Sequence, residues 1–236
     1  MVGARGGLGA ALCQRLRSDP RFSRVLAGGR RTEPTTTAVP GIDLDIELTD
    51  ESRVAAAAAH VGELVRTGPP LRLLIDATGF LHGSGFEPEK SWRDLDAAHM
   101  AHAFAINAIG PALLMKHFLP LLPRSGKAVF ATLSAKVGSI GDNRLGGWYS
   151  YRASKAALNQ LVHTAAIELA RQKPQAICVA LHPGTVDTGL SARFAKSGLE
   201  VQTPEAAAVR LLAVIDGLST KDNGGFFNHH GEALPW

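Results

Sequence analysis

The sequence predicts an α/β fold in which a doubly wound parallel sheet lies between two layers of helices. Short apolar or alternating segments, typical of strands, take turns along the chain with longer segments whose apolar residues recur at helical spacing. Strands that alternate with helices of this length form a parallel sheet that is covered on both faces. The chain has 236 residues, and we expect a single domain over residues 1–236.

The predicted elements follow one another in a regular order, which is that of a Rossmann-type, three-layer fold. Pro111 lies inside the long third helix and predicts a kink or a break there, because proline lacks the N–H that a helix needs. We expect strands at 24–27, 42–48, 71–77, 127–133, 176–181 and 225–228, and helices at 9–17, 49–65, 91–122, 151–171 and 204–218.

The start of the chain departs from this pattern. Met1 and Val2 alone precede a glycine-rich turn, so the first strand is truncated. In this fold the first strand lies at the middle of the sheet, and without it the neighbouring strands would lack backbone partners. We therefore expect either that the true start lies several residues upstream of Met1 or that the chain is a truncated product.

Composition narrows the functional classes. The formal charge of +4 is mild and lysine and arginine form no run, which argues against nucleic acid as a partner. No apolar run approaches the ~20 residues of a membrane span, and no secretory signal opens the chain. Cys13 and Cys178 lie in apolar stretches, which indicates reduced core thiols, and the histidines lack metal-ligand spacing. We expect a cytoplasmic protein with no metal and no membrane partner.

Ligands of open parallel sheets bind beyond the carboxyl ends of the strands, so the residues after each strand carry the functional signal. Gly3, Gly7 and Gly9 have the spacing GxxxGxG at the start of a helix, where backbone N–H groups can approach a pyrophosphate. Taken alone this signal is weak, because glycine-rich termini are common. Arg30 follows the second strand and Arg5 lies in the glycine turn; their guanidinium groups suit a ribose 2′-phosphate, while an exposed basic turn is the alternative.

A second signal follows the strand predicted at 127–133. Ser134 comes directly after it, and Tyr151 and Lys155 share one face of the next helix at i and i+4. A phenol, with a pKa near ~10, is a poor acid–base group at neutral pH, and a neighbouring ammonium lowers that pKa. The pair then becomes usable for proton transfer to or from a substrate oxygen. Alone it would be a helix surface pair, but the preceding serine strengthens the functional interpretation.

Together these residues resemble the short-chain dehydrogenase/reductase family. Its motifs appear here in family order and at family spacing: the glycine turn, DATG at 76–79, Asn107 in FAINAIGP, Ser134, YRASK at 151–155 and HPGTVDT at 182–188. The ending GGFFNHHGEALPW is similar to the C-factor-like branch of the family. Two departures are Arg5, where a small hydroxyl residue is common, and Asp76 in place of asparagine, which could weaken a hydrogen bond between strands.

The resemblance implies a role for each residue of the catalytic set. Tyr151 would be the general acid in reduction and the base in oxidation, while Lys155 would bind the nicotinamide ribose and lower the pKa of the tyrosine. Ser134 would hydrogen-bond the substrate oxygen, and Asn107 would hold a water that links Lys155 to a proton relay. The implied cofactor-binding residues are Gly3, Arg5, Gly7, Leu8, Gly9, Arg30, Glu47, Leu48, Ala77, Gly79, Tyr151, Lys155, Pro183, Gly184, Val186 and Thr188.

The expected function is that of an oxidoreductase which interconverts a small carbonyl compound and an alcohol, with NADP(H) favoured over NAD(H) by Arg5 and Arg30. The alternative is a dinucleotide-binding signalling or regulatory protein of the same fold with little or no turnover. We expect a loop at about 189–203 to form part of the substrate pocket, and residues 81–89 to form part of the rim of that pocket. Family members commonly pair through their two long helices, which implies a homodimer or a homotetramer.

Overall fold

The protein is described by a computed structural model that covers residues 1–30, 42–83, 85–190 and 201–236. The helices are α1 (Gly7–Arg17), α2 (Glu51–Thr67), α3 (Ala97–Phe104), α4 (Gly110–Phe118), α5 (Tyr149–Gln172) and α6 (Pro204–Gly217). The strands are β1 (Gly28–Gly29), β2 (Leu44–Asp45), β3 (Leu73–Asp76), β4 (Ala128–Leu133), β5 (Ala176–His182), β6 (Thr185–Val186), β7 (Val201–Gln202) and β8 (Phe226–Asn228).

The main sheet is parallel and doubly wound, as predicted. β3, β4, β5 and β8 are neighbours in that order, and β1 pairs with β2. Val2 joins these two parts, because it forms parallel bridges both to Gly28 of β1 and to Asp76 of β3. Its N–H donates to the carbonyl of Ile75 at 2.8 Å, and its carbonyl accepts from the N–H of Ala77 at 3.0 Å. Val2 thus occupies the position between β1 and β3 at the middle of the sheet.

Two elements of the structure differ from the predicted ones. The strand predicted at 24–27 is shorter and lies later in the chain, as β1 at Gly28–Gly29. Its pairing begins where the N–H of Gly28 donates to the carbonyl of Met1 at 2.6 Å. The helix predicted over 91–122 is divided into α3, a π-helical turn at Ala105–Ile109 and α4. The interruption ends two residues before Pro111, which lies in the first turn of α4 and has no N–H to donate to a carbonyl of the preceding turn. The predicted break at Pro111 is therefore confirmed, and it takes the form of a π-helical turn.

Two apolar layers hold the helices against the sheet, because successive residues of a strand face opposite sides. One layer packs Phe130 and Cys178 of the sheet against α2, α4 and α5, and the other packs Val129 and Val179 against α1 and α6. This packing leaves the carboxyl ends of the strands and the N-termini of α1 and α5 at one edge. The candidate site lies at that edge.

The helical stretch Ala97–Leu121 is long and apolar enough to cross a membrane, and within the described part of the chain it is the one stretch with these properties. The sequence analysis found no such run, because polar residues interrupt it. In the structure this stretch packs against the sheet through its own buried residues Leu114 and Phe118. The expectation that the protein has no membrane partner stays a prediction.

Candidate active site

The carboxyl ends of β3 and β4 meet the start of α5 beside the π-helical turn. Lys155 is buried here and donates from Nζ to the carbonyl of Leu133 at 2.7 Å. A Cβ atom placed on Gly79 would lie 3.8 Å from Lys155 Nζ and 3.8 Å from Asn107 Oδ1. The fold therefore gathers Gly79, Asn107 and Lys155, which the sequence analysis assigned to one site from separate motifs.

Tyr151 lies one helical turn before Lys155 on α5. Burial raises the pKa of Tyr151 to about 12, which is opposite to the lowering that the sequence predicts. The reason is that burial disfavours the phenolate, while the Lys155 ammonium is bonded to the Leu133 carbonyl. Burial also lowers the pKa of Lys155 to about 8, an effect that the charge of Asp76 partly offsets. At neutral pH the site therefore holds a neutral phenol beside a charged ammonium.

The hydroxyl of Ser134 has a partner that the sequence analysis missed. It donates to Asn159 Oδ1 at 2.6 Å, and both residues are buried. Asn159 Nδ2 is buried too and has no hydrogen-bond partner among the described residues. Asn159 follows Lys155 by four positions, so the helical spacing that connects Tyr151 with Lys155 could also have indicated Asn159.

A second residue next to Ser134 is His182, the last residue of β5. It comes directly after Leu181, the register partner of Leu133, so Ser134 and His182 are neighbours at the strand ends. Within the described chain His182 Nδ1 is buried without a hydrogen-bond partner, and burial lowers the pKa of the ring to about 4. His182 is therefore a neutral imidazole at neutral pH, positioned beside Ser134.

The side chain of Asn107 is occupied by protein groups. It accepts from the N–H of Phe80 at 2.7 Å and donates both to the carbonyl of Phe80 at 2.8 Å and to Ser154 Oγ at 3.0 Å. A π-helical turn such as the one around Asn107 is a feature frequently found at functional sites. The side-chain amide of Asn107 therefore joins the loop after β3 to the first turns of α5.

Asp76 stands where the family has asparagine, and the sequence left open whether this weakens a hydrogen bond between strands. The structure shows that the bond between the strands is kept. The carboxylate is fully buried and accepts from Thr132 Oγ1 on β4 at 2.7 Å, as well as from the N–H and the hydroxyl of Thr78 at 3.0 and 2.6 Å. Asp76 and Thr132 are register partners, so this bond reinforces the ladder. Burial raises the pKa of Asp76 while these three bonds oppose the shift.

The glycine turn before α1 is built for the close approach of a ligand to backbone. Gly3 has φ +79°, and a Cβ atom on Gly9 would lie 2.1 Å from the Gly3 carbonyl oxygen, so neither position accepts a larger residue. A Cβ atom on Gly7 would lie 3.3 Å from Thr188 Cγ2, which puts the loop after β5 next to the N-terminus of α1. Helix N–H groups at such a turn fit a pyrophosphate.

Several other residues expected at the cofactor site can offer mainly backbone groups. The side chains of Leu8, Leu48 and Val186 are buried in the apolar layers, so only their backbone groups can face a ligand. Ala77 lies at the end of β3, bonded through its N–H to Val2. Pro183, which precedes Gly184, accepts at its carbonyl from Gln202 Nε2 at 2.6 Å, so β7 supports this loop.

Three predicted residues gather at the end of β1. Arg5 Nη1 donates to the carbonyl of Arg30 at 2.7 Å, and the Arg5 side chain lies against Gly29. Arg30 Nε lies 3.9 Å from Glu47 Oε2, and the side chain of Arg30 is 74% exposed. Two guanidinium groups and one carboxylate therefore share the place where an adenosine ribose binds in this fold.

The expected rim and substrate loop meet at one contact. His82 Nε2 lies 3.1 Å from the carbonyl oxygen of Gly189, the first residue of the predicted loop. Residues 191–200 of that loop, and Ser84 of the rim, lie outside the described residues.

The fold and the site define a class, that of oxidoreductases that bind a dinucleotide at the switch point of a doubly wound sheet. The family model described as short chain dehydrogenase matches residues 1–197 of the chain. The protein belongs to this family and is an oxidoreductase that acts on CH–OH and C=O groups.

Individual relatives agree with this assignment. The chain is 30% identical over 243 residues to 1-hydroxy-2-glutathionyl-2-methyl-3-butene dehydrogenase of Rhodococcus sp. (strain AD45), an alignment that covers 100% of this chain and 98% of that protein. It is 38% identical over 145 residues to C-signal of Myxococcus xanthus, covering 61% and 82%. A solved structure of NADPH-bound carbonyl reductase from chicken fatty liver has a TM-score of 0.81 at 29% identity and covers 100% and 97%.

Proposed function

We propose that the protein reduces a small aldehyde or ketone with NADPH, or oxidises the corresponding alcohol with NADP⁺, and that Tyr151 is the general acid or base. The observation that carries the proposal is Lys155, buried between Gly79 and the end of β4 one helical turn from Tyr151. When bound, the cofactor supplies the hydride chemistry. The residues of the chain bind it, orient the substrate and move the proton.

The protonation states favour reduction at neutral pH. Tyr151, whose pKa is raised to about 12, carries the proton that a developing alkoxide needs, and Ser134 lies at the neighbouring strand end to orient the substrate oxygen. Lys155, with a pKa of about 8, is charged at neutral pH and suits the ribose hydroxyls. In the oxidation direction Tyr151 has to lose its proton, so we expect oxidation to require a higher pH.

The preference for NADP(H) is supported by the two arginines at the end of β1. Arg5 and Arg30 are held together by the bond from Arg5 Nη1 to the Arg30 carbonyl, and guanidinium groups bind phosphates in bidentate geometry. In the described part of the chain, Glu47 is the one acidic residue within ion-pair distance of Arg30. The chicken carbonyl reductase, of similar structure, is bound to NADPH.

We also propose that the protein self-associates through α4 and α5 and is cytoplasmic. Met115 and Leu119 with Leu161 and Ala165 line a groove between these helices, and Ile167 is exposed on α5. Leu161→Glu is expected to convert a dimer or tetramer into a monomer, as measured by light scattering after gel filtration.

The proposed cytoplasmic location is tested separately, by cell fractionation.

The deciding experiment compares the two tyrosines of the chain. NADPH oxidation with a panel of small aldehydes and ketones is expected to fall by about 10²–10⁴-fold in Tyr151→Phe. Tyr149→Phe, which removes the other phenol on the same helix, is the matched control and is expected to retain the activity. NADPH binding without any turnover that depends on Tyr151 would favour the regulatory alternative and overturn the catalytic proposal.

A further inference from the structure

The helix that carries Tyr151 begins without a cap of its own. Trp148, at the N-cap position of α5, has φ +54° and ψ +44°, and its side chain makes no capping hydrogen bond. In the described part of the chain it is the one non-glycine residue with a positive φ. The first turn of α5 also contains no acidic residue. The free N–H groups at this helix start need an acceptor from elsewhere in the chain.

Glu89, which lies 61 positions before Ser150, provides that acceptor. The N–H of Ser150 donates to Glu89 Oε1 at 3.3 Å and to Oε2 at 3.2 Å, and the Ser150 hydroxyl also donates to Oε1. The backbone carbonyl of Glu89 accepts from the N–H of Trp148 at 2.5 Å. Glu89 is 2% exposed and Ser150 is fully buried, so water does not compete for these bonds.

A histidine also contacts the Glu89 carboxylate. His99 Nδ1 lies 3.3 Å from Glu89 Oε1, and His99 is buried. The His99 ring stacks on Phe86 with centroids 4.9 Å apart and an interplanar angle of 6°. The positive end of the α5 dipole and these donors together offset the cost of burying the carboxylate.

Tyr151 therefore lies between two anchors. On one side Ser150 is bonded to Glu89; on the other, Ser154 Oγ donates to the Tyr151 carbonyl at 2.9 Å and accepts from Asn107 Nδ2 at 3.0 Å. The Trp148 ring meets the Tyr151 ring edge to face, with centroids 6.1 Å apart and an interplanar angle of 74°. The backbone before the tyrosine and the surface of its ring both depend on the contact with Glu89.

We infer that Glu89 is a positioning residue for the reaction: its buried carboxylate caps α5 from outside the helix and thereby sets where the Tyr151 phenol stands. This inference rests on the proposed function. An error of about 1 Å in the position of a catalytic group costs on the order of 10²-fold in rate. Loss of the cap should therefore lower kcat far more than it changes the affinity for NADPH.

The test compares Glu89→Ala with Asp50→Ala, because a glutamine at position 89 would still offer an amide oxygen to Ser150. Asp50 caps another helix, α2, through the N–H groups of Ser52 and Arg53, and is the matched control for loss of a cap. Glu89→Ala is expected to lower kcat at least about 10-fold with the dissociation constant of NADPH unchanged. Asp50→Ala is expected to lower the urea midpoint of unfolding and leave kcat unchanged. Ser150→Ala, which removes one of the bonds to Glu89, is expected to act in the same direction with a smaller effect.

Hydrogen exchange supplies a readout that does not need turnover. Glu89→Ala is expected to speed amide exchange at 149–152 and leave the last turn of α5 unchanged. A folded Glu89→Ala protein with wild-type kcat, or with wild-type exchange at 149–152, would overturn the inference. Failure of the proposed function looks different, because the wild-type protein itself would then show no turnover that depends on Tyr151, and the exchange experiment would still decide the role of Glu89.

Discussion

The Ser134 hydroxyl donates a hydrogen bond of 2.6 Å to Asn159 Oδ1, and both residues are buried. An amide oxygen can only accept, so the proton of Ser134 points towards Asn159 and the lone pairs of the hydroxyl remain for another donor. For the proposed reaction, this state lets Ser134 accept a hydrogen bond from a substrate alcohol. To donate to a carbonyl substrate, the hydroxyl has to rotate away from Asn159.

Asn159→Ala is expected to lower kcat/KM for carbonyl reduction by up to about 10-fold, because a neutral hydrogen bond that orients Ser134 contributes on the order of 1 kcal/mol. Steady-state kinetics measures the change. Gln160→Ala, which removes an exposed side chain bonded to Thr164, is the control and should match the wild-type protein. Wild-type kinetics in Asn159→Ala would show that the contact with Ser134 does not matter for turnover.

Asp76→Asn is expected to move the alkaline limb of the pH profile for reduction to lower pH. The negative charge of Asp76 raises the pKa of Lys155, so its removal lets burial lower that pKa further below about 8. Thr132 and Thr78 can still bond to the amide, which retains much of the local structure. The measurement is kcat/KM between about pH 6 and 10; an unchanged or upward-shifted limb contradicts the coupling.

Lys155→Met is expected to change how stability depends on pH. In the folded protein Lys155 has a pKa of about 8, below its ordinary value of 10.5, so between these values the unfolded chain binds the proton and the folded chain does not. The free energy of unfolding then rises with pH in this window, by about 2 kcal/mol from pH 8 to 10. Urea unfolding of both proteins should show this rise in the wild-type protein relative to Lys155→Met. A difference that stays flat with pH would mean that Lys155 keeps its ordinary pKa, and one that falls would mean that the folded protein raises it; either result contradicts the prediction.

Arg30→Ala is expected to raise the KM for NADPH by about 10- to 100-fold, the equivalent of one hydrogen bond to a charged group, and to change the KM for NADH much less. Arg66→Ala is the control, since Arg66 pairs with Glu63 on the surface of α2. Glu47→Gln should act in the opposite direction, because it removes the carboxylate near Arg30. Equal losses with both cofactors in Arg30→Ala would argue against recognition of a 2′-phosphate.

Part of the fold was accessible from the chain alone because it depends on local patterns. The alternation of strand-like and helix-like segments predicted the parallel sheet, which is confirmed by the register of β3, β4 and β5. The predicted kink or break at Pro111 is also confirmed, since the π-helical turn at Ala105–Ile109 interrupts the helix directly before it. The proline alone did not predict that the interruption would be a π-helical turn with the chain helical on both sides.

The candidate site, too, was predicted in part from the sequence. Ser134, Tyr151 and Lys155 were predicted as one site because strand ends of a parallel sheet meet at one edge and helical spacing connects the last two residues. The sequence by itself therefore determined the sheet, the edge that carries the site and the order of the motifs around it.

Tertiary structure alone decided the contacts of the site and the protonation of its groups. Glu89 and Ser150 lie 61 positions apart, as Ser134 and Asn159 lie 25 apart, and no local pattern connects them. The direction of the Tyr151 pKa shift was also predicted wrongly, because it depends on burial and on where the ammonium of Lys155 points. Periodicity follows from the order of residues along the chain, whereas desolvation and hydrogen bonding depend on atoms that packing brings within a few ångströms of each other.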